Sequence, residues 1–153
     1  MGNGNNQREF FRLKLKVPLC ADLKLIGDDS SMGILTPVDP ITQVCVIDLS
    51  GGGLDFISRL DLPVNHLTLL EHSFQLMGKD VATLGVIVRK LDKGNGFYAY
   101  GVKFMIEEAL TSQLVFLINN LAIKLRKQNR VADCSFCTDE QLAAMYLPSI
   151  TEQ

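Results

Sequence analysis

Positive charge is not in excess in this sequence: 15 lysines and arginines stand against 17 aspartates and glutamates, a formal net charge of −2. That excludes a general DNA or RNA binder, which needs a basic footprint to neutralise phosphates, but it leaves room for a small local basic site. Long apolar runs are also missing. None approaches the roughly 20 residues of a membrane span, so no membrane span is expected. The four cysteines, Cys20, Cys45, Cys134 and Cys137, are too few and too scattered for a secreted disulfide framework. Residues 1–7 are polar and rich in Asn and Gly, unlike a secretory signal. The compartment these absences imply is the cytoplasm. No nucleophile–base set and no metal-ligand cluster is visible, so catalytic residues and a bound metal are not expected. Cys134-Ser135-Phe136-Cys137 is a Cys-x-x-Cys, but zinc would want two more ligands at suitable spacing. Cys20 and Cys45 fall in strand-like segments, and no histidine lies near the pair in sequence. His66 and His72 lack a neighbouring Cys or His and are read as structural or surface residues.

What is present is enough to build a core. Of the 153 residues 47% are apolar, which suits one domain, or one domain with a tail. From Leu13 the pattern alternates: Leu13, Leu15, Val17, Leu19, Ala21, Leu23 and Leu25 take every odd position. Period two over that length predicts a half-buried strand, with Pro18 at a bend or an edge. Residues 27–40 hold Gly, Asp, Ser and Pro and read as a loop. Strand character returns over 43–49, with Cys45, Ile47 and Leu49 on one face. It resumes over 54–58 after Gly51, Gly52 and Gly53, and recurs over 67–76 and 81–91. Lys93-Gly94-Asn95-Gly96 predicts a hairpin turn, because Gly and Asn accept positive φ. Tyr98, Tyr100, Val102 and Phe104 then alternate on a last strand and are assigned to the core.

The period changes after that strand. Leu110, Leu114, Leu117, Ile118, Leu121 and Leu125 form one stripe of a helix over about 108–128. Glu107 and Glu108 at its start, and Lys124, Arg126 and Lys127 at its end, suit the helix macrodipole. Part of the stripe is also a candidate homodimer interface. Thr138-Asp139-Glu140-Gln141 reads as the start of a short helix ending before Pro148. Five to seven short strands followed by one long helix predict a mainly β chain, a closed or nearly closed barrel with a helical appendage. The divisions read from the pattern are a leader, 1–12; a barrel with its helix, 13–128; and a tail, 129–153.

Two local motifs carry chemistry. Arg8-Glu9-Phe10-Phe11-Arg12 is an Arg-x-x-x-Arg just before the first strand. Asp48-Leu49-Ser50-Gly51-Gly52-Gly53 is an Asp-x-Ser-x-x-Gly at a strand end. In this order, with a strand and loop between them and Tyr100-Gly101-Val102-Lys103-Phe104 as a closing strand, they resemble the signature of the PilZ domain family. The resemblance covers about residues 7–125. With Gln7 before Arg8 and Phe10 and Phe11 inside the motif, it looks most like the YcgR-like flagellar-brake branch. That branch commonly has an Arg where this chain has Gln7, and an additional N-terminal barrel domain. The resemblance implies an approximately six-stranded antiparallel β-barrel with a long C-terminal helix. It also implies a receptor for the second messenger cyclic di-GMP, with Arg8, Arg12, Asp48, Ser50 and Gly53 lining the ligand site.

The chemistry of these residue types agrees. Cyclic di-GMP carries two phosphates and two guanines, and a planar guanidinium meets the O6/N7 edge of guanine bidentately. Guanidinium also forks onto phosphate and stacks on flat bases. Asp48 and Ser50, two apart, share a strand face, and that face is opposite Cys45, Ile47 and Leu49. A carboxylate there accepts from guanine N–H groups, a hydroxyl reaches base or phosphate, and Gly53 lets backbone approach the ligand. The implied mechanism is a binding switch: the leader orders over the barrel face and alters what a protein partner meets. The resemblance places that partner in motility, exopolysaccharide or biofilm control, at the flagellar motor or the polysaccharide synthesis machinery. Two other readings stand beside it: an adaptor that acts by protein contacts without nucleotide, and a phosphodiesterase, for which no residue set is visible.

Overall fold

The alternation that begins at Leu13 becomes a 15-residue strand, β1 (Arg12–Ile26), in the computed structural model, which describes residues 10–26, 42–65 and 67–145. The loop expected over 27–40 lies outside the described residues. Five more strands follow: β2 (Thr42–Ser50), β3 (Gly53–Ser58), β4 (Leu69–Leu76), β5 (Lys79–Gly94) and β6 (Phe97–Phe104). All neighbours pair antiparallel in the order β1-β2-β3-β6-β5-β4, and β4 pairs back onto β1 to close the ring. Closure satisfies the edge groups that an open sheet would leave exposed. The expected turn joins β5 to β6, with Gly94, Asn95 and Gly96 all at positive φ.

Inward residues of every strand fill the ring, among them Leu19, Leu23, Val46, Leu54, Phe56, Leu76, Ile87 and Tyr100. Tyr100 stacks on Phe56 with centroids 4.9 Å apart, in the core role expected for the β6 aromatics. Its hydroxyl is satisfied within the protein: it accepts from the Leu62 N–H at 2.8 Å and donates to the Leu60 carbonyl. Leu25, expected on the inner face, is 42% exposed instead. There β1 has run past its last described pair with β2, Leu23 with Thr42, and pairs with β4.

The phase of β2 differs from the expected one. Cys45, Ile47 and Leu49 do not share a face. Val44, Val46 and Leu49 point into the main core, and Cys45 packs in a separate cluster. A register irregularity between Val46 and Asp48 is the cause. An extra residue in one strand reverses the facing of everything after it. β1 carries a matching irregularity between Lys14 and Leu19, the stretch that contains Pro18.

The C-terminal helix is shorter than expected. α1 spans Glu108–Lys124, 17 residues, and Leu125 is its C-cap. Beyond it Arg126 N–H donates to the Ile123 carbonyl and Lys127 N–H to that of Lys124. Bonds three residues back tighten and end an α-helix, and the five residues after Leu125, Arg126 to Arg130, are polar and exposed, so the next side chain on the core is Val131. Leu114, Leu117, Ile118 and Leu121 are buried in the strands' own cluster. The chain after the helix returns across β1: Cys20 N–H donates to the Ser135 carbonyl at 2.7 Å, and Cys137 N–H to that of Pro18 at 2.9 Å. α2 (Asp139–Ala144) follows, its Thr138 cap and Gln141 bonded reciprocally. That capping box is the local device that starts a short helix.

Candidate functional site

Arg12 opens β1 and Asp48 lies near the end of β2, 36 residues apart in sequence, and β-pairing makes them neighbours. Arg12 is the direct cross-strand partner of Ser50, and Lys14 that of Asp48. Cross-strand partners share a face. On that outer face the Arg12 Nη1 donates to Asp48 Oδ1 at 2.6 Å. The two motifs therefore meet in an ion pair, the carboxylate side chain 10% exposed and the guanidinium 37%. Burial, and then the neighbouring Asp55 carboxylate, push the Asp48 carboxyl above the usual range, while Arg12 pulls it down. Arg8 lies outside the described residues.

Ser50 is used locally. Its hydroxyl accepts from the Gly52 N–H at 3.1 Å and donates to the Gly53 carbonyl at 3.3 Å. This is the turn geometry that serine favours beside glycines. It fixes the chain as it passes from β2 to β3. Gly53 is required by close approach: a Cβ there would lie 2.1 Å from the Val102 carbonyl oxygen of β6. Gly51 and Gly52 make a seat for Phe10, whose ring atoms lie 3.0 and 3.2 Å from where their Cβ atoms would stand. The arginine motif is thus tied to the glycine motif by an aromatic contact as well as by charge. The period of β2 alone carried no signal for this contact, although Phe10 stands inside the motif.

Three further residues were missed from sequence. Asp55 on β3 is the direct partner of Asp48, and Gly101 on β6 is the partner of Asp55. Arg89 on β5 pairs with Gly101, and its Nη2 donates to Asp55 Oδ1 at 2.7 Å. Two single charged residues and a glycine on three different strands give no sequence signal, because only the register brings them into one row. A cleft of about 570 Å3 lies elsewhere, lined by residues that include Asp22, Gln75, Asp80, Ser135 and Gln141. Among the described residues that line it there is no motif residue and no cationic side chain.

The cysteines fall differently from the reading that kept Cys20 and Cys45 away from the Cys-x-x-Cys pair. Cys45 Sγ lies 3.7 Å from Cys137 Sγ and 3.1 Å from the Met145 thioether, and Cys20 and Cys45 are cross-strand partners. These thiols lie in a buried cluster with Leu142. The Cys137 thiol, despite a hydrogen bond with Cys20 that lowers it, is pushed up to about 12 by its bond with Cys45 and by burial, so it stays protonated and unreactive. Among the described residues no group of three or more His, Cys, Asp or Glu is arranged to hold a metal ion. Among the same residues no helix is long and apolar enough to cross a membrane.

Comparison with known proteins agrees with the motifs. No curated protein matches the sequence. Among solved structures the fold is similar to the Inhibitor of motility MotI/DgrA of Bacillus subtilis, with 13% identity and a TM-score of 0.52 over 82% of this chain and 54% of that one. It is also similar to YcgR from Escherichia coli, solved in complex with c-di-GMP, with 15% identity and a TM-score of 0.56 over 80% and 49%. A third similar structure is K. pneumonia MrkH in its apo state, with 12% identity and a TM-score of 0.56 over 84% and 56%. The chain spans about half the length of these three proteins, and at such identities the likeness is one of fold. The PilZ domain profile matches residues 6–119, most of the chain, and with both motifs joined on one face of the closed sheet, this chain belongs to the PilZ domain family.

Proposed function

We propose that this chain is a cyclic di-GMP receptor, a binding switch and not an enzyme. The observation that carries the reading is the Arg12–Asp48 ion pair, which joins the arginine motif to the Asp-x-Ser-x-x-Gly motif at the site's edge. Membership of the PilZ family and the structural likeness to YcgR, solved with c-di-GMP, support it. Arg12 is the residue that changes partner. Released from Asp48, its planar fork meets the O6/N7 edge of one guanine or a phosphate. Asp48 then accepts from guanine N–H groups, Ser50 reaches base or phosphate, and Gly53 keeps the floor open. Arg8 supplies the second guanidinium from the leader, 1–12, which meets the barrel unit, 13–128, at Phe10 and Arg12; of the segment 129–153, read as a tail, the described part packs back through Val131, Ser135 and Cys137. Ordering the leader costs conformational entropy and changes the surface a partner meets.

The downstream role is control of motility, exopolysaccharide or biofilm in the cytoplasm. Its partner is a protein of the flagellar motor or of the polysaccharide synthesis machinery. The similarity to an inhibitor of motility supports the first of these. The stripe expected to supply part of a homodimer interface is buried on the core at Leu114, Leu117, Ile118 and Leu121, so a homodimer would use the exposed Phe116 and Ile123 of α1 instead.

A second reading is a nucleotide-independent adaptor. In it the Arg12–Asp48 pair is a fixed part of the surface that a protein partner meets. Isothermal titration with cyclic di-GMP separates the two. The receptor reading expects saturable heat for the native chain and an affinity lower by about tenfold or more after Arg12→Ala, as for loss of a charge-assisted bond. Absence of heat, or an Arg12→Ala protein that binds as well as the native one, refutes it in favour of the adaptor.

A further inference from the structure

The face that carries Arg12, Asp48 and Ser50 continues past β2. Lys14, Asp48, Asp55, Gly101 and Arg89 are successive cross-strand partners on β1, β2, β3, β6 and β5. Arg12 reaches inward from one side to Asp48, and Arg89 reaches inward from the other to Asp55. The two carboxylates are themselves direct partners. The guanidiniums therefore converge. One stands over β2 and the other over β6, two strand spacings or about 10 Å apart.

Arg89 is not simply draped on the surface. A Cβ on Gly101 would lie 2.2 Å from its Nη1 and 2.5 Å from its Cζ and Nη2. The guanidinium lies against bare backbone, in space that any other residue at 101 would take. Its bond to Asp55 uses one of five N–H donors, and the side chain stays 57% exposed. Lys103, exposed on the same strand as Gly101, is the partner of Gly53. Arg12, Lys14, Arg89 and Lys103 thus surround Asp48 and Asp55, and the surplus of positive charge over the glycine floor suits a ligand with two phosphates.

We propose that Arg89, positioned by Asp55 and given its room by Gly101, is a further ligand-binding residue that grips the half of the cyclic dinucleotide not held by Arg12. This rests on the receptor reading above. A ligand with two equivalent halves, each a guanine and a phosphate, is met by two guanidiniums from opposite sides of one face. Asp55 orients Arg89, but its own charge faces the phosphates.

Titrating cyclic di-GMP into the native full chain and into Arg12→Ala, Arg89→Ala, Arg89→Lys and Asp55→Asn tests this at several salt concentrations. Arg89→Ala should weaken binding by about tenfold or more and flatten its salt dependence, since one cation fewer contacts phosphate. Arg89→Lys should recover the salt dependence but only part of the affinity, because an ammonium lacks the flat fork. Asp55→Asn should bind more tightly, because the amide oxygen still accepts from Arg89 while a charge opposing the phosphates is gone. If the native chain binds and Arg12→Ala fails, yet Arg89→Ala matches the native affinity and salt dependence, this inference falls and the receptor reading stands. If the native chain gives no heat, both fall together. If thermal melting finds Arg89→Ala unfolded, Asp55→Asn decides, and unchanged or weaker binding overturns the proposal.

Discussion

Acid should unfold this protein through a residue away from the face that carries Arg12 and Asp48. His72 on β4 is fully buried inside the ring, its imidazole 4.7 Å from the Phe56 ring and cross-strand from Leu23 and Thr83. Among the described residues neither ring nitrogen has a hydrogen-bond partner, and the Thr83 hydroxyl beside it has none either. Burial lowers the His72 pKa from 6.5 to about 3. The unfolded chain therefore binds a proton below pH 6.5 that the folded chain refuses until about pH 3. His72 leaves stability untouched above pH 6.5 and removes it as the pH falls through that window, at about 1.4 kcal/mol per pH unit. Between pH 7.5 and 5.0 the loss from this one group is about 2 kcal/mol, a large part of a typical domain's stability. Urea unfolding of the native protein and of His72→Leu at the two pH values measures it. Leucine removes the titrating group and the unpartnered nitrogens, so the native protein should lose about 2 kcal/mol more than the variant. The Asp48 carboxyl, raised by burial, is common to both proteins and cancels in that difference. Equal losses in the two proteins would refute the reasoning.

Two more outcomes follow from the packing. Tyr100→Phe leaves the Leu62 N–H and the Leu60 carbonyl without the hydroxyl that joins them, and should cost about 1–3 kcal/mol in denaturant unfolding. An unchanged midpoint would mean that water replaces the hydroxyl at no cost. Gly53→Ala forces a methyl to 2.1 Å from the Val102 carbonyl oxygen. Because that atom is backbone, β3 and β6 must separate, and thermal melting should register about 1–3 kcal/mol of destabilisation. A melting temperature equal to the native one would show that the strands shift freely.

Much of the fold was legible because its signals are local. Alternation from Leu13 predicted β1, Gly94-Asn95-Gly96 predicted the β5–β6 turn, and Thr138 with Gln141 predicted the start of α2. The end of α1 was placed too late because Arg126 and Lys127 continue a favourable charge pattern, whereas what holds a helix on a core is its last buried side chain. The face of β2 was misread because a bulge is invisible to periodicity. Residues 42–50 contain Val44, Cys45, Val46, Ile47 and Leu49, apolar on both phases, and only pairing with β1 and β3 selects one. Asp48 does face outward as expected, but through the bulge and not through an unbroken alternation.

The sequence by itself determined that this is a mainly β chain with two short motifs of guanidinium, carboxylate and hydroxyl groups, since strand period, turn residues and motif spacing are properties of neighbours along the chain. Tertiary structure alone decided that Arg12 meets Asp48, that Asp55, Gly101 and Arg89 extend the same face, and that Cys45 meets Cys137. Each of these contacts joins residues on different elements. Which of them touch is settled by strand register and by closure of the ring, and register is a collective outcome of burying one face of every strand at once.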